Sequence, residues 1–225
     1  RNMKRCPYCH PKDPVKEAKL LIANWRHVDR NYKAVMNPHP WAYNHHILMS
    51  SDPLPQRIDS INLGDMFAYL KEIGKGYEGI YNGMEAGASV YHFHVQFHKG
   101  FSAIWANLDT GRITRDTFYP QEDRKASVLK GWPASAFLFE GKKIRESADL
   151  IHAMISVLEE RNIPYNLNFR HKDGKFQLIL YPRDITVEKP VGLNSYPKSW
   201  GMFGGVEMSG SVFALLKEGF FDMVD

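Results

Sequence analysis

The stretch that decides the fold is "YHFHVQFHKG", residues 91–100, in which polar and apolar side chains alternate. The polar positions are His92, His94, Gln96 and His98, and the positions between them are Tyr91, Phe93, Val95 and Phe97. Because successive side chains of a strand point to opposite faces, this pattern predicts a β-strand with one apolar face packed in a core. The opposite face presents three imidazoles and an amide, which is an unusual set for a strand surface.

Three interpretations of this polar face stay open on the sequence alone. It is a solvated sheet surface, a metal cluster of His92, His94 and His98, or part of a catalytic site. Solvated sheet faces usually carry Lys, Glu, Thr or Ser, so catalysis is favoured. A neutral imidazole such as His94 is a nucleophile without repulsive charge toward a phosphate, and the amide of Gln96 can donate a hydrogen bond to a phosphoryl oxygen.

A loop of small residues, "NGMEAGASV", residues 82–90, directly precedes this predicted strand. Gly87 and Ala88 would let the backbone approach a phosphate closely, and the hydroxyl of Ser89 can donate a hydrogen bond. Such a loop is weak evidence by itself, but its position before His-x-His-x-Gln supports a phosphate site.

Composition and charge exclude several classes of protein. The chain of 225 residues is long enough for a sizeable core, and its hydrophobic content of 44% is typical of globular proteins. A net charge of +4 with dispersed Lys and Arg suits an anionic small molecule, and no basic run predicts nucleic-acid binding. No run of 18 apolar residues predicts a membrane span, and no secretory pattern is present, so we expect a cytoplasmic protein.

The chain is predicted to be an α+β protein built from two related halves that form one compact unit. Residues 1–110 would form the catalytic half and residues 111–225 a second, degenerate half, joined in the polar stretch 107–127. In each half a strand is followed by an amphipathic helix and then by two further strands. The second of these strand pairs is a predicted hairpin around "KDGK".

The helix of the first half has the clearest predicted boundaries. Asn62 is expected to cap it, and Asp65 would lie in its first turn. Gly74 or Gly76 would end it. Its buried side is predicted to consist of Met66, Tyr69, Leu70 and Ile73.

The only two cysteines, Cys6 and Cys9, are separated by two residues, which is the spacing of a metal knuckle or a redox pair. Half of a zinc site is favoured, because Pro11 and Pro14 follow at once and no thioredoxin-like pattern surrounds the pair. A short-loop disulfide and two unreactive thiols are the alternatives.

The motif "HFHVQFH" resembles the His-φ-His-φ-Gln motif of the histidine-triad (HIT-like) superfamily. It is similar to the branch that contains galactose-1-phosphate uridylyltransferase, dinucleoside polyphosphate phosphorylases and nucleoside-diphosphate-hexose phosphorylases such as the GDP-hexose enzymes. Hydrolase branches carry a third histidine at the position of Gln96. The segment "NPHPWAYNHHILM" resembles the strand pair that holds the nucleoside, with Asn44–His45 or His45–His46 where Gly–His is usual. The resemblance thus implies a HIT-like antiparallel sheet with helices.

The resemblance implies a nucleotidyltransferase in which His94 forms a covalent nucleotidyl intermediate. The backbone carbonyl after the first histidine, His92, would orient the ring of His94, and Gln96 would hold the phosphoryl group. Nucleotide and phosphate binding is expected from Asn37 at the ribose, from Asn82 and Ser89 at the phosphates, and from Gln96 and His98.

The expected substrate is a dinucleoside polyphosphate or a nucleoside-diphosphate sugar, and the expected acceptor is phosphate or a sugar phosphate. A phosphorylase is favoured. The alternatives are a hexose-1-phosphate uridylyltransferase, a nucleotide hydrolase, against which Gln96 argues, and a nucleotide-binding module without turnover.

The resemblance also implies a structural zinc ion. Its ligands would be Cys6, Cys9 and His92, with Asp52 as the nearest candidate for the remaining position. Rival ligands are His10, His39 and His46.

Two further expectations concern the base pocket and the oligomeric state. Candidate walls of the base pocket are Trp25, Tyr32, Trp41 and Tyr43. By analogy with relatives, strands of two copies would pair across a homodimer.

Overall fold

The computed structural model describes residues 20–100, 102–183 and 204–211. Its framework is one sheet of ten antiparallel strands in the order β1-β2-β3-β5-β4-β9-β10-β8-β7-β6. The order is symmetric about the β4–β9 pair, since β4-β5-β3-β2-β1 on one side corresponds to β9-β10-β8-β7-β6 on the other. The strands are Leu21–His27, Arg30–Met36, Tyr43–Ser50, Tyr77–Asn82, His94–Lys99, Thr114–Pro120, Arg124–Lys130, Phe137–Gly141, Tyr165–Lys172 and Lys175–Pro182.

Four helices accompany the described strands, and the two long ones occupy equivalent places in the two halves. The helices are α1 (Ser60–Ile73), α2 (Ala103–Asp109), α3 (Ile144–Glu160) and α4 (Gly205–Met208). Helix α1 lies between β3 and β4, and α3 lies between β8 and β9, so strand–helix–two strands occurs twice. The predicted α+β fold with two related halves is therefore confirmed, whereas the exact domain boundary stays a prediction.

Helices α1 and α3 pack side by side on one face of the sheet and enclose the main core. Phe93, Val95 and Phe97 are fully buried there, as their alternation predicts. The equivalent face of the second half contributes Leu167 and Phe169 to the same core. The polar side chains of β5 consequently lie on the opposite face, away from both long helices.

The start of α1 differs from the prediction. Asp59, rather than Asn62, is the N-cap, and Asn62 is the third residue of a capping box whose side chain accepts from the Asp59 backbone N–H. Asp65 is not in the first turn either: it is buried one turn further along, where Tyr32 on β2 donates to its Oδ2 and His27 Nδ1 lies 2.6 Å from its Oδ1. Gly74 ends the helix with φ 94°, in agreement with the prediction.

The second face of the sheet is covered in part by α2. Ile104 and Trp105 of α2 pack on Leu138, Ile179 and Tyr181 from the second half. The predicted join over residues 107–127 is thus not a linker, because it contains the end of α2, all of β6 and the start of β7. β6 is an edge strand with mostly exposed side chains, so it lacks the apolar alternation that marks a strand in sequence.

No helix in the described part of the chain combines the length and the apolar character that a membrane crossing requires.

Candidate active site

His94 is the first residue of β5, and its ring is held by the backbone next to it. The strand predicted from the alternation at residues 91–98 starts later in the structure, so His92 precedes the strand rather than belonging to it. His94 Nδ1 lies 2.8 Å from the carbonyl oxygen of His92. A carbonyl only accepts, so Nδ1 carries the hydrogen and Nε2 carries the lone pair. Burial lowers the pKa of His94, which keeps the imidazole neutral at neutral pH.

Gln56 fixes the backbone of His94 and was not identified from the sequence. The N–H of His94 donates to Gln56 Oε1 over 2.8 Å, and Gln56 Nε2 donates to the carbonyl of His94 over 3.1 Å. Gln56 Nε2 also donates to the carbonyl of Asn82 at the end of β4 over 2.9 Å. No periodicity marks Gln56, because it lies in the irregular segment between β3 and α1.

Gln96, two residues along β5, lies on the same face as His94 and contacts the β3 strand. Gln96 Oε1 is 2.9 Å from His45 Nε2, which is in turn 3.1 Å from Asn37 Nδ2. Asn44, the residue before His45, has φ 52°. Asn is one of the few residues other than Gly that adopt this left-handed conformation readily. Asn44–His45 therefore takes the place of the Gly–His pair, while His46 points to the other face and stacks on Phe97.

An apolar patch lies beside His94 and Gln96 on the same face of the sheet. Ile47 is paired with Gln96 and Met49 with His94 across β3 and β5. Val35 of β2 joins these two residues in a small cluster. All three side chains are buried, so the two polar side chains are bordered by a small buried apolar cluster.

The second half extends the polar face with residues that the sequence analysis missed. Asn166, Asn168 and Arg170 alternate along β9 with core residues, and the same period-2 pattern in "YNLNFRH" could have revealed them. Asn166 Nδ2 donates to Asn82 Oδ1 over 2.8 Å and to the carbonyl of Ala86 over 2.6 Å. The second half therefore holds the loop that precedes β5.

The side-chain oxygen of Asn82 accepts hydrogen bonds from other parts of the protein. Besides Asn166, the backbone N–H of Gly205 donates to Asn82 Oδ1 over 2.8 Å. Arg183 is buried close by, and its Nη1 donates to Asn166 Oδ1 over 2.7 Å. A guanidinium is thereby fixed near the loop, a type of group that binds phosphates well.

The loop over residues 83–89 has the conformational features expected of a close backbone approach. Gly87 has φ 97°, and a Cβ on Gly83 would come within 2.7 Å of the Tyr165 carbonyl oxygen. The amides of Ala86 and Ala88 both donate to the Gly83 carbonyl, which makes the turn compact. Ser89 is exposed at its end, where its hydroxyl can meet a ligand.

His98, the last of the alternating polar residues, is buried at the far end of β5. Neither of its ring nitrogens has a hydrogen-bond partner among the described residues, and its Nε2 is 4.0 Å from Glu78 Oε2. Burial lowers the pKa of His98 to about 4, and burial raises the pKa of Glu78 to about 7. Ser102 donates to Glu78 through both its N–H and its hydroxyl.

The predicted wall residues separate onto the two faces of the sheet. Trp25 and Tyr32 lie on the helix side, so the prediction that they line a base pocket is wrong: Trp25 donates to Glu72 of α1, and Tyr32 belongs to the main core. Trp41 lies on the site face, with its ring 4.5 Å from that of His45 and 4.6 Å from that of His98. Tyr43 is largely exposed.

The described residues fit the predicted zinc site only in part. His92 Nε2 is 2.8 Å from the Ser50 carbonyl, so Nε2 carries hydrogen and Nδ1 the lone pair, as in a histidine that is oriented to bind a metal. Within residues 20–100, 102–183 and 204–211, no three metal-binding side chains form a group. Asp52 is exposed, and Cys6 and Cys9 lie outside the described residues, so zinc stays a prediction.

Two family models match the sequence, one in each half. A domain of unknown function, DUF4922, matches residues 2–99. The model described as GDPGP1-like, C-terminal domain, matches residues 111–223, which is half of the chain. The chain belongs to the family with a GDPGP1-like C-terminal domain. Among curated proteins, none matches the sequence significantly.

Solved structures with this fold include yeast Ap4A phosphorylase Apa2 in complex with Ap4A. It aligns with a TM-score of 0.67 at 16% identity, over 98% of this chain and 76% of that one. A DUF4931 family protein, BCE0241 from Bacillus cereus, aligns with a TM-score of 0.56 at 13% identity, over 79% of this chain and 91% of that one. The predicted resemblance to the HIT-like branch is confirmed by the shared fold together with the GDPGP1-like family model.

Proposed function

We propose that this protein is a nucleotidyltransferase that works through a covalent nucleotidyl–His94 intermediate, as a phosphorylase of a dinucleoside polyphosphate or a nucleoside-diphosphate sugar. The observation that carries the proposal is the hydrogen bond from His94 Nδ1 to the carbonyl of His92. It selects the tautomer with the lone pair on Nε2, the form that attacks phosphorus. The fold shared with Ap4A phosphorylase supports the same chemistry.

The proposed reaction has two steps, formation and then cleavage of a nucleotidyl–His94 bond. In the first, His94 Nε2 attacks the α-phosphorus, a P–N bond forms, and the P–O bond to the leaving group breaks; the leaving group is a nucleoside polyphosphate from a dinucleoside polyphosphate, or a sugar phosphate from a nucleotide sugar. In the second, an oxygen of the acceptor phosphate attacks the same phosphorus, the P–N bond breaks, and neutral His94 is regenerated. The Gln96 amide would donate to the α-phosphoryl oxygen in both steps, while its Oε1 is held by His45.

The nucleoside is proposed to lie over β2 and β3. Val35, Ile47 and Met49 form a buried apolar cluster directly beside Gln96, and the base or ribose would pack against it. Asn37 borders this patch and would bind the ribose hydroxyls after leaving His45. The remaining phosphates would meet Ser89 and the glycine-rich loop that precedes His94.

Phosphate or a phosphosugar is proposed as the acceptor in preference to water. Glutamine neither gives nor takes a proton near neutral pH, so water attacking at Gln96 would lack a general base, whereas an anionic phosphate needs none. We therefore expect transfer to phosphate to be at least ~10²-fold faster than hydrolysis, the lower end of what one acid–base group contributes.

We also propose that Cys6, Cys9 and His92 hold a structural zinc ion, with Asp52 as a candidate for the remaining position. When bound, the metal would join the N-terminal segment to the residue whose carbonyl orients His94. His92 suits this role because burial lowers its pKa and keeps the ring neutral. A homodimer through paired strands stays a prediction.

The test is a panel of dinucleoside polyphosphates and nucleotide sugars, each incubated with inorganic phosphate and assayed for release of a nucleoside diphosphate. His94→Ala is expected to abolish release while nucleotide binding is retained, because a nucleophile contributes mainly to the chemical step. His152→Ala on α3, on the other side of the sheet, is the matched control and should keep full activity. Equal activity of His94→Ala and wild type would refute the role of His94. Equal rates of mononucleotide release with and without phosphate would make the enzyme a hydrolase.

A further inference from the structure

The register of β4 and β5 is interrupted where the nucleophile begins the strand. The two strands pair up to Ile80 opposite Gln96, and the same register would next place Asn82 opposite His94. Instead, the carbonyls of both residues accept hydrogen bonds from the single Nε2 of Gln56. The side-chain amide of Gln56 thus takes the place of the next backbone hydrogen bonds between β4 and β5.

We infer that Gln56 is a positioning residue for His94, an inference that rests on the proposed function. Gln56 is 4% exposed, so its three hydrogen bonds are shielded from water. The other edge of His94 is paired with Met49 of β3, so the peptide is fixed from both sides. Since the ring is then tied to the carbonyl of His92, the location of Nε2 depends on the amide of Gln56.

The backbone groups around Gln56 require an amide, and not another polar group, at this position. The His94 N–H needs an acceptor, and the carbonyls of His94 and Asn82 need donors. Among uncharged side chains only an amide supplies an acceptor oxygen together with two N–H donors. A carboxylate would place a second oxygen against the two carbonyls, and an apolar side chain would leave all three backbone groups unsatisfied.

The experiment compares Gln56→Met and Gln56→Asn with a matched control, Gln177→Met. Gln177 is also buried and also bonds through both ends of its amide, to Arg170 and Glu140, but it lies on β10 away from His94. The first readout is the single-turnover rate of protein labelling by an α-labelled nucleotide substrate. The second is the nitrogen-15 NMR signature of the His94 ring, which reports the tautomer without any substrate.

Both Gln56 variants are expected to label about 10²-fold more slowly than wild type, because small misplacements of a reacting group have effects of this size. Their substrate KM should change by only a few-fold, and the His94 ring should become a mixture of tautomers. Gln177→Met should lose stability but label at the wild-type rate. If Gln56→Met fails to fold, the labelling rate and the His94 tautomer signal of Gln56→Asn, which keeps a shorter amide, provide the test.

Wild-type labelling by a folded Gln56 variant, or an unchanged His94 tautomer, would overturn the inference. Equal slowing in Gln177→Met would overturn it as well, since the effect would then be general destabilisation. If wild type is never labelled, the proposed function fails separately, and the tautomer signal still tests Gln56.

Discussion

The buried carboxyl of Glu78 should make the stability of the fold depend on pH in a predictable direction. Glu78 lies on β4 between His98 and Arg170 and is 3% exposed. Burial is the largest influence on its pKa and raises it to about 7 from an ordinary 4.5, although hydrogen bonds from Ser102 act in the opposite direction. Glu78 is therefore protonated in the folded protein over a range in which it is ionised in the unfolded chain.

The sign of the effect follows from the protons bound in the two states. Between pH 4.5 and pH 7 the folded protein binds more protons at Glu78, so stability falls as the pH rises and stays low above pH 7. A pKa of about 7 against 4.5 corresponds to about 3 kcal/mol of folding free energy. Glu78→Gln removes this dependence, and the variant should gain about 3 kcal/mol relative to wild type between pH 4.5 and pH 8.

Urea unfolding of both proteins across this pH range measures the effect. The loss of the Ser102 bonds shifts the variant by an amount that does not depend on pH, and other titrating groups are common to both proteins. Glu160→Gln, at the exposed end of α3, is the control and should leave the pH profile unchanged. A free-energy difference between Glu78→Gln and wild type that is constant with pH would refute the reasoning.

Two further predictions concern packing and metal. Gly79→Ala should destabilise the fold by about 1–3 kcal/mol in thermal or urea unfolding, because a Cβ would overlap the Phe169 ring. Gly64→Ala in α1 is its control, since that Cβ meets nothing closer than 3.8 Å, and it should be neutral or stabilising by about 1 kcal/mol; equal losses would contradict the packing argument. Elemental analysis should find about one zinc ion per chain, lost together with thermal stability when Cys6 and Cys9 become Ser. Metal-free protein from a purification without chelator would remove the zinc proposal.

The parts of the fold that could be predicted are those in which a local pattern coincides with burial. The alternation at 91–98 correctly placed Phe93, Val95 and Phe97 in the core and His94 and Gln96 on the opposite face. The two long helices and the second hairpin follow from their periodicity in the same way. These features depend on neighbours along the chain, which the sequence displays directly.

The parts that could not be predicted depend on contacts between distant residues. Gln56 meets His94 38 residues away, and a single glutamine in a loop carries no local signal. Trp25 was wrongly proposed as a wall of the base pocket, because the edge strand β1 shows no clean alternation that would reveal which face it lies on. β6 was missed for a related reason, since an exposed edge strand has no apolar side to mark it.

Capture of the intermediate tests the central claim most directly. Wild-type protein is incubated with an α-labelled dinucleoside polyphosphate or nucleotide sugar without phosphate, quenched at alkaline pH to preserve the P–N bond, and mapped by peptide mass spectrometry. The account predicts one nucleoside monophosphate on the ring of His94, no adduct in His94→Ala, and loss of the adduct on addition of phosphate. Turnover without any adduct, or an adduct on a different residue, would contradict it.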